Sequence, residues 1–320
     1  MEISLVTEGI GHLTFEKACE AAAGLGIAGM EVGAGNWCSG VHLGLGEMLK
    51  SPEKRKKFLS VLKANGLKLS ALNCSGNQLH PVTGKDQSRT VNETMDLAEM
   101  LECDTVVMMS GLPGGSPGDV TANWITCAWP PETGKVLKYQ WDEVAIPYWT
   151  GQVAYAKKRG IKKICIEMHG HQLVYNPPTL MKLRNAVGNL VGANFDPSHL
   201  LWMGADPLLS IDYLGEAIHH VHAKDTFIDP RNCALNGRLE TLGHDKVKER
   251  AWSYITLGYG QDDIWWKEFC FRLRRAGYDG WLSIEHEDML LSRMEGLRKS
   301  IDLLNGTMIK EKSDYVLPDV

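Results

Sequence analysis

Short apolar runs alternate along the chain with longer segments in which apolar residues recur every three or four positions. The short runs, such as ISLVT, TVVMMS and KICIE, are rich in β-branched residues, which is typical of buried strands. The longer segments, such as residues 52–65 and 262–275, have the period of an amphipathic helix. The alternation continues through eight strand–helix units, which predicts an α/β fold consisting of a single (β/α)8 barrel.

The boundaries of several predicted helices carry their own signals. Glycine follows Asn65, Arg159 and Ala276, where a left-handed residue ends a helix, and Ser51-Pro52 is typical of a helix start. The predicted strands are ISLVT, AGMEVG, KLSALNC, TVVMMS, KICIEMH, VGANFD, IHHVHAKD and GWLSIEH, and the predicted helices lie near 14–24, 52–65, 88–102, 143–159, 178–187, 206–214, 262–275 and 290–304.

Two connections are longer than the rest, and they follow the fourth and seventh predicted strands. They span residues 111–141 and 226–260, and enlarged loops on that rim of a barrel usually serve function. The first contains Trp124, Trp129 and Trp141, whose flat faces suit the C–H faces of a sugar, and we predict Trp129 as a substrate contact. A loop that packs on its own aromatic residues or forms a subunit contact is the alternative.

Composition limits the classes of partner. The chain has 320 residues, 44% of them hydrophobic, which fits one barrel domain over residues 1–320. A net charge of −5 predicts no nucleic-acid partner, and no apolar stretch is long enough to cross a membrane. The N-terminal segment has no charged region followed by a cleavage site, so we expect a cytoplasmic protein.

Four segments place a metal-binding side chain at the end of an apolar run. They are CIEMHGH, ANFDPSH, HHVHAKD and LSIEHED, and the residues are Glu167, Asp196, His222 and Glu285. Parallel strands of a closed barrel deliver their C-terminal ends to one face, so these residues should converge. A single such residue is more often an ordinary rim residue, but four after successive strands predict a shared metal, because buried carboxylates need a cation or partner.

Three carboxylates and one imidazole form a hard, oxygen-rich set of ligands. This set suits a divalent metal, with Mn²⁺ as the first choice because the imidazole favours transition metals over Mg²⁺. Mg²⁺, Co²⁺ and Zn²⁺ stay open as alternatives. A structural zinc site would call for clustered cysteines, whereas the eight cysteines here are scattered singly.

These four residues, in that order on an eight-unit barrel, resemble the xylose-isomerase-like TIM barrels of the sugar phosphate isomerase/epimerase superfamily. The resemblance implies a metal-dependent keto-sugar isomerase or epimerase that works by proton abstraction and a metal-stabilised enediolate. It implies Glu167 and Glu285 as the acid and base, and Asp196 and His222 as residues that mainly hold the metal. His199, in the DPSH segment, corresponds to a substrate-contacting histidine. A small sugar ligand and a homo-oligomer are also implied.

The chain departs from the ketose 3-epimerases at two positions of the substrate site. Leu173 stands where they have a glutamate, and Ile228 stands where they have an arginine, with Arg231 as the nearest substitute. His171, and Lys224 in an H-x-K-D run, are further predicted substrate contacts. These departures favour a substrate larger than a free ketose, or a small partner subunit that completes the site.

Other reactions use the same set of residues. The first alternative is a keto-sugar lyase that works by elimination, like inosose dehydratase or a subunit of a 3-keto-glycoside C-deglycosidase. An apurinic-site endonuclease is remote, because it needs further histidines, including an Asp-x-His pair that the chain lacks. A non-catalytic sugar-binding barrel is disfavoured, because the whole predicted metal set is present.

Overall fold

Eight parallel strands close into a barrel in the computed structural model, which describes residues 1–318. The order around the barrel is β1-β10-β7-β6-β5-β4-β3-β2, and β8 and β9 form a separate two-stranded antiparallel sheet. The predicted (β/α)8 architecture is therefore confirmed. The strands are β1 Glu2–Val6, β2 Gly29–Gly33, β3 Lys68–Asn73, β4 Thr105–Met109, β5 Lys163–Glu167, β6 Val191–Phe195, β7 Ile218–Ala223, β8 Asp225–Ile228, β9 Trp252–Ile255 and β10 Trp281–Ile284.

Helices surround the barrel strands. They are α1 Phe15–Gly24, α2 Leu45–Lys50, α3 Pro52–Ala64, α4 Gly84–Met100, α5 Glu132–Lys138, α6 Ile146–Lys158, α7 Pro177–Val187, α8 Pro197–Met203, α9 Pro207–Leu214, α10 Pro230–Asn236, α11 Asp263–Arg275 and α12 Arg293–Thr307. A π-helical stretch, Tyr139–Ala145, joins α5 to α6, and short 3-10 helices occupy Thr7–Ile10 and Gly215–Ala217. In residues 1–318 no helix is both long and apolar enough to span a membrane.

The predicted helix boundaries have the expected local chemistry. The Ser51 side chain accepts a hydrogen bond from Lys54 N at 3.2 Å and so caps the start of α3. Gly66 follows that helix with φ +68°, and Gly277 follows α11 with φ +88°. Both values lie in the left-handed region, which glycine enters without strain.

Two apolar regions hold the barrel together. The main core lies between the strands and the helices and includes the fully buried Trp149, Phe195 and Phe269. A small separate cluster of Ala71, Val107 and Cys165 lies inside the barrel. Glu31 is in register with Ala71 and fully buried, so it enters the barrel interior as a charged residue.

The two long connections contain more regular structure than we expected. The second holds the β8–β9 hairpin and α10, and the first holds α5 and the π-helical stretch. Interpreting residues 226–260 as one loop was therefore wrong. The hairpin strands have only four residues each, and so short an apolar alternation does not separate a strand from a loop.

Candidate metal centre

The structure brings the four predicted ligands together at the C-terminal rim of the barrel. Glu167 ends β5, Asp196 follows β6, His222 lies in β7 and Glu285 follows β10. One ligand atom from each lies within 4.8 Å of the others. Three of the residues are fully buried, and the Glu285 side chain is 19% exposed. This cluster is called the four-donor centre below.

Two of the carboxylates are oriented by neighbours on or after β6. Glu167 accepts hydrogen bonds from Asn194 Nδ2 at 3.0 Å and His199 Nε2 at 2.9 Å. Asp196 Oδ1 accepts from Ser198 N at 2.8 Å and caps α8. Within residues 1–318, Asp196 Oδ2 forms no hydrogen bond of good geometry, although His199 Nε2 lies 3.2 Å away and Lys224 Nζ lies 3.3 Å away. A buried carboxylate oxygen that faces other hard donors without a well-formed hydrogen bond fits a divalent cation.

Lys224 supplies positive charge beside these carboxylates. Its buried Nζ lies 2.7 Å from Glu285 Oε2, 3.2 Å from Glu287 Oε2 and 3.3 Å from Asp196 Oδ2. Burial lowers the pKa of Lys224, but the surrounding carboxylates outweigh burial and hold the pKa well above its ordinary value. The lysine is therefore charged and partly neutralises the acidic cluster.

The imidazole of His222 is held from both sides. Its Nδ1 lies 3.1 Å from Glu285 Oε2 and 3.3 Å from Glu167 Oε2, and its Nε2 lies 2.9 Å from Glu31 Oε1. Burial raises the pKa of Glu31, but the facing histidines outweigh burial and hold the pKa well below its ordinary value. Glu31 is thus ionised, and Nε2–H of His222 donates to it. Nδ1 is then the ring nitrogen that faces the other donors.

Glu31 was missed in the sequence, although its signal was present. It is the one charged residue in the apolar run of β2, GMEVG. Besides His222, it accepts hydrogen bonds from His220 Nε2 at 2.8 Å and Asn73 Nδ2 at 2.7 Å. Glu31, His220 and His222 also have the spacing of metal ligands, but the Nε2 atoms of both histidines are engaged in these hydrogen bonds.

A second missed residue reaches the centre from the hairpin. The Tyr254 hydroxyl, in β9, lies 2.9 Å from His199 Nδ1, so His199 links Tyr254 to Glu167. Burial lowers the pKa of His199, but the charge of Asp196 and the contacts with the Asp196 and Glu167 carboxylates together outweigh burial and raise the pKa to about 9. His169 packs on the same ring, with centroids 4.0 Å apart. Burial, and then the charge of His199, lower the pKa of His169 to about 4.

A cavity of about 1300 Å³ opens beside the four-donor centre. His171 lines it and packs on Trp124 with ring centroids 4.6 Å apart. Trp129 is 74% exposed and Arg231 is exposed on α10, and neither lines this cavity. The structure thus does not bring Trp129 and Arg231 to the site, and their substrate contacts stay predictions.

Comparison with known proteins places the chain among relatives along most of its length. The family model for xylose isomerase-like TIM barrels matches residues 19–307. A relative from Bacillus subtilis strain 168, the uncharacterized protein YfiH, is 49% identical over 311 residues. That match covers 96% of this chain and 99% of the relative.

Solved structures share the fold at low sequence identity. The probable 3-DHS dehydratase AsbF of Bacillus anthracis has a TM-score of 0.67 at 16% identity and covers 95% of this chain and 99% of its own. The IOLI protein with a bound zinc atom has a TM-score of 0.67 at 17% identity, covering 96% and 99%. A D-tagatose 3-epimerase-like protein has a TM-score of 0.65 at 18% identity, covering 96% and 97%.

Proposed function

The chain belongs to the xylose isomerase-like TIM barrels, and from this membership we propose that it is a divalent-metal-dependent enzyme that isomerises or epimerises a keto-sugar. The observation that carries the proposal is the convergence of three carboxylates and one imidazole within 4.8 Å. The substrate is a small sugar or sugar derivative, which enters through the adjoining cavity.

The residues that would hold the metal are Glu167, Asp196, His222 and Glu285. Three carboxylates with one imidazole favour Mn²⁺ over Mg²⁺, which seldom takes nitrogen ligands. A bound cation would supply Lewis-acid stabilisation of the negative charge that develops on substrate oxygen. His222 would present Nδ1, because Glu31 engages its Nε2.

Glu167 and Glu285 are the residues we propose to move the proton. Burial raises the pKa of Glu167, but the hydrogen bonds from His199 and His222 outweigh burial and hold the pKa well below its ordinary value. Glu167 is therefore ionised at neutral pH and can take a proton from carbon. Glu285 is within reach of the same space, with its Oε2 on Lys224 Nζ. Return of a proton to the same or the neighbouring carbon completes epimerisation or isomerisation.

Elimination is the second candidate, and one observation favours it. Loss of a group β to the carbanion needs an acid that protonates the leaving oxygen. Two donors stand beside the centre, the Tyr254 hydroxyl and Lys224 Nζ. Tyr254 also lines the cavity into which a leaving group would extend.

Proton exchange at carbon tests the proposal. We would incubate metal-free and Mn²⁺-loaded protein in D₂O with a panel of ketoses, keto-inositols and 3-keto-glycosides, and follow each sugar by NMR. Metal-dependent deuterium incorporation with a change of configuration or carbonyl position supports an isomerase or epimerase. Incorporation with release of a leaving group supports the lyase.

Two variants make the test specific to the centre. Glu167→Gln should lose deuterium incorporation because it removes the proposed base. Glu216→Gln should keep wild-type rates, since the Glu216 side chain is 94% exposed and, among residues 1–318, pairs only with Arg184. If Mn²⁺ bound to the wild-type protein and none of the panel exchanged a proton, keto-sugar chemistry would be the wrong assignment.

A further inference from the structure

The cavity beside the four-donor centre is a second binding subsite, and we infer that it takes a second ring of the substrate. The substrate would then be an uncharged glycoside whose sugar ring carries the ketone. This inference rests on the proposed function, because it places the ketone-bearing ring at the four-donor centre. The cavity is called the outer subsite below.

The outer subsite and the four-donor centre share a boundary. Tyr254 lines the outer subsite and contacts His199, and Glu287 lines it and contacts Lys224. His169, also in the lining, packs on His199. A substituent on a sugar held at the centre therefore has this cavity as its adjoining space.

The size of the outer subsite exceeds what one sugar ring needs. Its volume is about 1300 Å³, whereas pockets for whole drug-sized ligands span roughly 300–1,000 Å³. One six-membered ring placed next to the centre would leave most of this volume empty. A second ring attached to the sugar uses that space.

The walls of the outer subsite are rich in flat rings. Trp202 stacks on Trp252 with centroids 4.7 Å apart and planes 8° from parallel, and His244 stacks on Tyr254 at 5.7 Å and 13°. Trp124 adds a further ring from the connection after β4. These rings come from the two long connections or, for Trp202, from α8. Such faces pack well on the faces of sugar or aromatic rings.

Charge in the lining is balanced, which argues against a phosphorylated substrate. The charged lining residues are three basic and three acidic ones, namely Arg238, Arg250, Arg293, Glu240, Glu287 and Asp288. Arg250 donates to the carbonyl groups of Trp252 and Leu242, so its guanidinium is already engaged. Arg238 likewise donates to the carbonyl group of Leu201, so a phosphate would add negative charge beside three carboxylates when two of the three arginines are already engaged.

Four lining residues carry buried polar atoms that lack a hydrogen-bond partner within residues 1–318, and they are Trp124 Nε1, Trp202 Nε1, His286 Nε2 and Glu240 Oε2. Trp202 is 5% exposed, and the Glu240 side chain is 6% exposed. An indole N–H only donates and a carboxylate oxygen only accepts. Hydroxyl groups do both, so a second ring that carries hydroxyls would satisfy them.

Matched glycosides test the outer subsite without requiring turnover. The probes are methyl β-D-glucopyranoside, 4-hydroxyphenyl β-D-glucopyranoside and cellobiose, with binding measured by calorimetry on metal-free protein. A stacked ring adds about 1 kcal/mol, so at least one two-ring probe should bind about five- to tenfold tighter than the methyl glycoside. Which of the two binds better distinguishes an aromatic from a sugar second ring.

Paramagnetic relaxation on the Mn²⁺-loaded protein then tests the orientation. Protons of the first sugar ring should relax faster than those of the second ring. Equal affinity of the three probes, no binding of either two-ring probe, or faster relaxation of the second ring would each overturn the outer subsite. Failure of the proposed function looks different, because no keto-sugar would exchange a proton on the Mn²⁺-loaded protein while the preference for two-ring probes persisted.

A pair of threonine variants controls for indirect effects. Thr241 is exposed and lines the outer subsite, so Thr241→Trp should place an indole in it and weaken the preference for two-ring probes. Thr121 is exposed and outside the lining, so Thr121→Trp should keep the preference. Both variants should bind Mn²⁺ as the wild type does. A Thr241→Trp protein that favoured the two-ring probes as strongly as the wild type would contradict the inference.

Discussion

Glu31 Oε1 lies 2.9 Å from His222 Nε2 across the barrel interior, and this contact fixes which nitrogen of the imidazole faces the four-donor centre. A carboxylate that accepts from a metal-binding histidine orients its ring and raises its basicity. The pair therefore connects β2 to a centre whose proposed ligands all come from β5 or later strands.

Glu31→Gln should weaken Mn²⁺ binding by about 10- to 100-fold, because the amide lacks the charge that polarises the imidazole. Titration followed by electron paramagnetic resonance would measure the affinity. His220→Gln is the matched control, since it changes the other histidine on Glu31 and leaves His222 in place. Wild-type affinity in Glu31→Gln would show that the contact does not support the centre.

Asp196→Asn should fold normally yet lose stabilisation by metal. The amide keeps the oxygen that caps α8 but puts an NH₂ group where Oδ2 faces the centre. Wild-type protein should gain about 2.7 kcal/mol when free Mn²⁺ is 100-fold above its Kd, and the variant should gain almost nothing. Asp206→Asn, which changes the same kind of cap on α9, should respond to Mn²⁺ like the wild type in thermal unfolding.

Lys224→Met should destabilise the metal-free protein by about 3 kcal/mol, because it leaves buried carboxylates without their cation. Added Mn²⁺ should restore much of this loss, so the variant should show a larger metal-induced rise in Tm than the wild type. Lys182→Met is a suitable control. Lys224 lies over the ring of Tyr254, and Lys182 lies over the ring of Trp141, away from the centre. An Mn²⁺ response equal to that of the wild type would count against charge compensation by Lys224.

Stability should also fall in mild acid through His219, at the opposite end of the barrel. Burial, and then the charges of Arg184 and Lys163, lower the pKa of His219 to about 4. In the unfolded chain the same imidazole takes up a proton near pH 6.5. The free energy of unfolding that depends on a neutral His219 is therefore complete above that pH and is lost as the pH falls toward 4. Urea unfolding at several pH values should show that His219→Gln loses about 3 kcal/mol less stability than the wild type between pH 7 and pH 4. If the free energies of unfolding of the variant and the wild type fell in parallel with pH, His219 would not be the cause.

The main features of the barrel and the four-donor centre could be predicted because both depend on local patterns. Each of Glu167, Asp196, His222 and Glu285 ends or follows an apolar run, and barrel geometry brings strand ends together. The pairing register between neighbouring strands did not have to be known to place these residues on one rim.

Glu31 and Tyr254 could not be placed because their roles depend on long-range contacts. Glu31 pairs with a histidine 191 positions away, and Tyr254 pairs with one 55 positions away. Glu31 lies in β2, a strand that the sequence predicted, whereas Tyr254 lies in the β8–β9 hairpin, which the sequence did not predict. Short strands in an insertion give too weak a pattern to show which side chain faces the centre.

The contact of Glu31 with His222 has a consequence for how the protein matures during synthesis. β2 leaves the ribosome early, whereas the last proposed ligand, Glu285, follows β10 near the end of the chain. The first and last barrel strands, β1 and β10, pair directly, so the orienting carboxylate and the full ligand set meet only after the barrel has closed. Tight Mn²⁺ uptake would then report completion of the fold, and a nascent chain would be protected from capturing the ion in a half-formed barrel.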